Sequence, residues 1–170
     1  NTTGSLNTAV GANALSSNIS GGDNVAVGNN ALTVSTGSRN TALGYNAMTD
    51  TTSGQDNTAV GFGSLGNNTT ASNNTAVGRS ALSANTTGYN NAALGSGAAS
   101  GLTTGGDNVA VGFNTMLATV TGNENTAIGN DSLKALTTGN NNVAAGANAL
   151  AANTTGTNNV AIGESAALAA

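Results

Sequence analysis

The sequence lacks several residue types on which enzymes and compact domains commonly depend. Its 170 residues include no cysteine, histidine, proline or tryptophan, and aromatic residues make up only 2%. The absence of cysteine excludes a disulfide framework, and the commonest thiol nucleophile and general base are both missing. Because large apolar side chains are scarce, a thick globular core is also excluded. Stability must come from many thin, repeated layers.

Charged residues are few as well. There are three basic and seven acidic side chains, for a formal net charge of −4. Phosphate binding requires clustered Lys and Arg, whereas Arg39, Arg79 and Lys134 are scattered. No apolar run approaches the roughly 20 residues that a membrane-spanning helix needs. We therefore expect neither nucleic-acid binding nor membrane insertion.

The polar composition is compatible with disorder, but the placement of the apolar residues is not. Proline and high net charge, which usually accompany disorder, are absent, and the apolar residues recur at a fixed phase. The recurring unit is the pentapeptide Asn-(Thr/Val)-Ala-(Val/Ile/Leu)-Gly. Its ten copies start at Asn7, Asn24, Asn40, Asn57, Asn74, Asn91, Asn108, Asn125, Asn142 and Asn159.

The copies start 17 residues apart, with one step of 16 between Asn24 and Asn40. Such a fixed period is typical of a solenoid, so we expect residues 1–170 to form a single repeat array. We number each repeat from its Asn as position one. Position three is then always Ala, position five always Gly, position four aliphatic apart from Ala145, and position nine mostly Leu or Met. Positions 13 to 15 read Thr-Thr-Gly or a close variant.

This pattern predicts an all-β fold, a parallel β-solenoid or β-roll of about ten 17-residue coils. In a strand, positions two and four face one side and positions one, three and five the other. We expect the aliphatic face, with the Thr residues of position two, to point inward, and positions six to eleven to form a second strand. At about 4.8 Å per coil, the rod would be about 45 Å long.

The ten Asn residues that start the copies are predicted to form a structural ladder. Stacked identical Asn side chains pass amide hydrogen bonds along their column, as in cross-β assemblies. The array begins and ends within a repeat and shows no cap-like segment at either end. We expect either a piece of a longer protein or ends that abut identical neighbours in a fibre.

Two groups of side chains are candidate binding residues. Asp107 and Glu124 share position 17 of adjacent coils, so they could bind a cation such as Ca²⁺, although two solvated carboxylates explain them equally simply. Tyr45, Phe62 and Arg79 are consecutive at position six. They could form a stacked strip for a glycan or a host surface protein, or fill space at a corner or between subunits.

Charges of opposite sign alternate at position 17 of three consecutive coils, where Asp23, Arg39 and Asp56 lie. A slip by one coil would misplace Arg39, so we expect these charges to help define the register.

The pentapeptide resembles the head repeats of trimeric autotransporter adhesins, whose related motif ends in Val-Ala-Ile-Gly. The closest copies are residues 108–112 and 159–163, and the pattern from Asn74 to Gly88 is also similar to repeats in phage tail fibres. The resemblance covers essentially the whole chain. It implies a left-handed parallel β-roll, packed as a homotrimer on a cell or virion surface. The adhesin coil is shorter than 17 residues, so the additional residues should enlarge a turn.

These observations favour a structural or adhesive surface rod that is not an enzyme and needs no cofactor. Its expected partner is itself, as a homotrimer or a head-to-tail polymer, in an extracellular setting. One alternative is an open-ended filament, and another is an ice-binding solenoid with Thr at positions 13 and 14. A glycan-cleaving enzyme is a third, but it lacks a convincing carboxylate pair.

Overall fold

The computed structural model describes residues 3–168, and within this range the chain is all-β without a helix. No helix long and apolar enough to cross a membrane occurs there. Each repeat contributes one strand of three residues. The strands are β1 (Thr8–Val10), β2 (Val25–Val27), β3 (Thr41–Leu43), β4 (Thr58–Val60), β5 (Thr75–Val77), β6 (Ala92–Leu94), β7 (Val109–Val111), β8 (Thr126–Ile128), β9 (Val143–Ala145) and β10 (Val160–Ile162).

The ten strands form one parallel sheet in sequence order, and each strand pairs with the next. The register places every Ala of position three opposite the next one, as with Ala59 and Ala76. The single 16-residue step keeps this register, because Ala26 still pairs with Ala42. The structure therefore confirms the predicted parallel β-solenoid with about 17 residues per coil.

The prediction of a second strand over positions six to eleven is wrong, because this segment forms a series of turns. Positions seven and nine have left-handed backbone conformations, for example φ 54° at Asn46 and 51° at Met48. The coils still bond to one another here, since the N–H of Met48 donates to the carbonyl of Ser64 at 3.0 Å. A left-handed residue other than Gly costs about 1–2 kcal/mol, a cost comparable to what burial of its Leu or Met side chain contributes.

The interior of each coil is thin and is filled from two sides. Ala at position three comes from the strand, and Leu or Met at position nine comes from the opposite turn segment. Ala76 and Leu82 illustrate the pair within one coil, and both are fully buried. Ala at position eight and Asn at position one complete the layer. Stacked layers of this kind make one continuous core along the rod.

The expectation that positions two and four point inward is also wrong. Leu43 and Leu94 at position four are 45% and 53% exposed, and Thr75 at position two is exposed. Because Leu or Met of position nine already fills the coil, the strand has room only for Ala on its inner side. The larger side chains of positions two and four therefore lie on the outer face of the sheet.

One coil keeps its length by shifting a residue. In most coils the buried residue at position 12 lies three residues before the Gly of position 15, as do Asn85 and Gly88. In the coil starting at Asn108 the buried residue is Val120, two residues before Gly122, and it forms a parallel bridge with Leu102. The additional residue lies in the preceding turn instead, so the 17-residue period is preserved.

Candidate functional site

The Asn residues of position one join the coils and also close each coil on itself. The side-chain Nδ2 of Asn91 donates to the carbonyl of Gly105 at 2.9 Å, which links position one to position 15 of the same coil. Its Oδ1 accepts the backbone N–H of Asn108 at 2.9 Å and the Nδ2 of Asn108 at 3.1 Å. The interior members from Asn24 to Asn142 are buried. Hydrogen bonds of this type run along the rod.

A second set of hydrogen bonds runs along the Thr residues of position 13. The hydroxyl of Thr52 donates to the carbonyl of Thr69 at 2.9 Å, and that of Thr69 donates to the carbonyl of Thr86 at 2.9 Å. These hydroxyls are therefore engaged with backbone of the next coil. The Thr residues of position 14, such as Thr70 and Thr87, are exposed. Only that second member of each pair presents its side chain fully to solvent.

The largest apolar surface is the outer sheet face, which we define as positions two and four of β1 to β10. All its residues are Thr, Ala, Val, Leu or Ile, and none is charged. Sequence reasoning missed this surface because it turned the aliphatic residues inward. The unbroken Ala at position three was the available signal, since a column that tolerates only Ala marks the crowded, inner side of a strand.

The aromatic corner, which we define as Tyr45, Phe62 and Arg79, lies at position six after each strand. The rings of Tyr45 and Phe62 stack with centroids 5.3 Å apart and planes 11° from parallel. Both residues are about half exposed, which is compatible with a contact surface. Arg79 is exposed one coil further on, and no cation–π contact with Phe62 occurs among residues 3–168.

Two other aromatic residues are exposed but separate from this corner. Phe113 occupies position six three coils beyond Phe62. Tyr89 lies over Gly106 of the next coil, where an added Cβ would collide with its ring. Gly106 thus provides the space in which this tyrosine packs.

The two candidate cation ligands are both exposed at position 17. Asp107 accepts a hydrogen bond of 2.9 Å from Nδ2 of Asn90, so one of its oxygens is already engaged. Glu124 occupies the same position in the next coil. Among residues 3–168 there is no cluster of three or more acidic residues that could hold a metal ion. Asp107 and Glu124 remain a two-carboxylate pair.

Arg39 forms the ion pair that the alternating charges suggested. Its Nε and Nη2 donate to the two carboxylate oxygens of Asp56 at 2.6 and 2.9 Å, and Nη2 also donates to Gln55 at 2.9 Å. This hydrogen bonding lowers the pKa of Asp56 and raises the pKa of Arg39, and the Coulombic attraction acts in the same sense. The pair connects two coils on the surface.

Comparisons with protein-family models, with curated proteins and with solved structures each gave no match. The described residues also contain no pocket. The surfaces available for function in this part of the chain are therefore the outer sheet face, the aromatic corner and the exposed Thr residues. All three are open surfaces that repeat or extend along the rod.

Proposed function

We propose that this chain is a structural and adhesive rod that acts at a cell or virion surface and not as an enzyme. The observation that supports the proposal most directly is the in-register stacking of ten coils, bonded by the sheet, the Asn ladder and the Thr hydroxyls together. A stack bonded at several points of every coil resists bending, which suits a spacer that presents a surface at a distance. The sequence resemblance to adhesin heads and tail-fibre repeats points in the same direction and supplies the homotrimeric arrangement.

Within this proposal the aromatic corner is the adhesive site. Half-exposed stacked rings offer apolar area, and the neighbouring Arg79 offers a hydrogen-bond donor fork, a combination that suits glycans or host surface proteins. The corner needs neither a cofactor nor a pocket. Its contribution is contact area alone.

An adhesion assay tests this function. Beads coated with the chain are applied to surfaces that present host glycans or host surface proteins, and the retained fraction is measured under flow. We expect retention that falls at least tenfold in a Tyr45→Ser, Phe62→Ser double variant, while Phe113→Ser, the matched exposed aromatic, keeps it. Cleavage of the glycan by the chain would contradict the non-enzymatic assignment. Equal retention of both variants would contradict the adhesive role of the corner.

A filament built by end-to-end stacking is the second candidate. It is favoured by the repeating pattern itself, because the strand edges of β1 and β10 match the register that already joins every internal pair. Growth without limit on concentration in sedimentation equilibrium is expected for the filament. A closed assembly of fixed size is expected for the adhesin-like rod.

A further inference from the structure

The outer sheet face is unusually apolar for a surface that water covers. At position four, Val10, Leu94 and Ile128 are 57%, 53% and 45% exposed, and at position two Val25 is 38% exposed. Residues of these types gain free energy when they leave water, at roughly 25 cal/mol for each Å² buried. Single exposed side chains of this kind are ordinary, but here they lie side by side on ten adjacent strands.

The dimensions of the face can be estimated from strand geometry. Ten strands about 4.8 Å apart extend over about 45 Å, and two side-chain columns about 7 Å apart cover a width of about 10 Å. The resulting footprint of about 450 Å² falls within the range of the largest apolar patches on monomers, which are often functional. Two such faces together cover about 900 Å², close to the approximately 1,000 Å² that a specific interface needs.

The repeat of the face indicates which partner fits it. Its rows of side chains recur once per coil for the whole length of the sheet, and the register of Ala opposite Ala holds throughout. A partner that packs along this length must present rows with the same spacing, and a second copy of the chain does so. Side chains of one copy can then lie between the rows of the other over every strand.

The distribution of charge is compatible with such self-association. Arg39 and Asp56 lie at position 17 and Lys134 at position ten, and all charged residues are outside positions two and four. Two identical faces therefore meet without like-charge repulsion, which otherwise costs several kcal/mol across an interface. The negative net charge remains on the parts of the coil that stay in water.

We propose that the outer sheet face is the surface through which copies of this chain associate side by side. The inference rests on the proposed function as a surface rod, and it names the partner and the residues that meet. The aromatic corner and the exposed Thr residues of position 14 are then left for other ligands or for solvent. Association thickens the rod and does not lengthen it, which distinguishes it from end-to-end stacking.

Sedimentation equilibrium of the full chain, from micromolar to near-millimolar concentration, tests the proposal. We expect a reversible dimer or larger closed assembly, and at least a tenfold increase in its dissociation constant for Leu94→Lys, in the centre of the face. Thr87→Lys, the same charge change at an exposed position 14 residue, should leave association unchanged. A monomer throughout the range would overturn the proposal, and so would association that Leu94→Lys leaves intact, as end-to-end stacking predicts.

A second measurement remains informative if Leu94→Lys fails to fold. The chain has no cysteine, so one introduced cysteine carries one spin label. We expect short intermolecular distances for Val77→Cys on the sheet face and none for Thr87→Cys. The reverse pattern, or no coupling at either site, would overturn the proposal. A monomer that still passes the bead adhesion assay would remove the side-by-side interface while leaving the adhesive function in place.

Discussion

The backbone N–H of Asn91 donates a hydrogen bond of 2.9 Å to Oδ1 of Asn74, its equivalent one coil earlier. The same Asn91 then closes its own coil through Gly105 and receives Asn108 of the following coil. One buried side chain thus serves bonds within a coil and on both sides of it. Because both partners are backbone groups, no neighbouring side chain can replace it.

Asn91→Ala is expected to lower the free energy of unfolding by about 3 kcal/mol, because it leaves the buried carbonyl of Gly105 and N–H of Asn108 without partners. Thermal and urea denaturation measure the change. Asn91→Asp, which keeps the shape but loses the donor, should also be strongly destabilising. Asn29→Ala is the control, since Asn29 is exposed at position six, where Ala12 and Ala147 occur naturally. Equal stability of Asn91→Ala and the control would mean that the ladder contributes little.

Ala71→Gly is expected to stabilise the protein. Where position 12 is Asn and position 15 is Gly, the glycine N–H can donate to the asparagine Oδ1, as Gly88 does to Asn85 at 3.0 Å. In the coil that ends with Ala71, Oδ1 of Asn68 is buried without a hydrogen-bond partner. Satisfying it is worth about 1–3 kcal/mol, which exceeds the approximately 0.5–1 kcal/mol entropic cost of the glycine.

The reciprocal change, Gly88→Ala, provides the matched comparison for Ala71→Gly. A Cβ at Gly88 would collide with the carbonyl of Gly105 and with Oδ1 of Asn85, so this variant should melt at a lower temperature. Changes of the same sign in both variants would show that the buried oxygen of Asn68 is not the cause.

Strand position and register could be predicted from sequence because each follows from a repeated column. The Asn of position one and the Gly of position five mark where every strand begins and ends, and stacking of equal coils then aligns them. The side of the strand that faces inward could not be predicted in this way. Alternation separates Ala76 from Val77 but does not say which is inside, and that depends on Leu82 arriving from the opposite turn.

The turn segment illustrates a second limit of sequence reasoning. Leu82 has φ 50°, a left-handed conformation that its residue type disfavours, so local preference favours a strand there instead. Tertiary packing decides the conformation, because only this backbone directs the side chain into the coil. The stacking of Tyr45 on Phe62, by contrast, follows directly from their shared position in adjacent coils. Columns were thus informative about neighbours and uninformative about the inside of the coil.

Thr115→Ser is expected to raise the free energy of unfolding by about 1 kcal/mol, because the Thr115 hydroxyl is buried without a hydrogen-bond partner. The serines at the same position donate to the glycine carbonyl three residues earlier, at 3.0 Å for Ser64 and 3.2 Å for Ser132. The β-branch of Thr restricts rotation about χ1. Thermal denaturation measures the gain, and Ser64→Ala, which removes an existing bond, should change stability in the opposite direction.

The ion pair between Arg39 and Asp56 is expected to make stability depend on pH in the acid range. Hydrogen bonds from Arg39 hold the pKa of Asp56 below its usual value, so the folded protein keeps this carboxylate ionised at lower pH than the unfolded chain does. The stabilisation is therefore fully present above the usual Asp pKa of about 3.9 and is lost as pH falls through the lower folded-state pKa. Asp56→Asn should melt below the unmodified protein at neutral pH, and the difference should disappear in strong acid. Glu124→Gln removes the same charge at the same repeat position without an ion pair among the described residues, so it controls for net charge. A melting difference for Asp56→Asn that persists unchanged in strong acid would show that the carboxylate contributes through packing rather than through its charge.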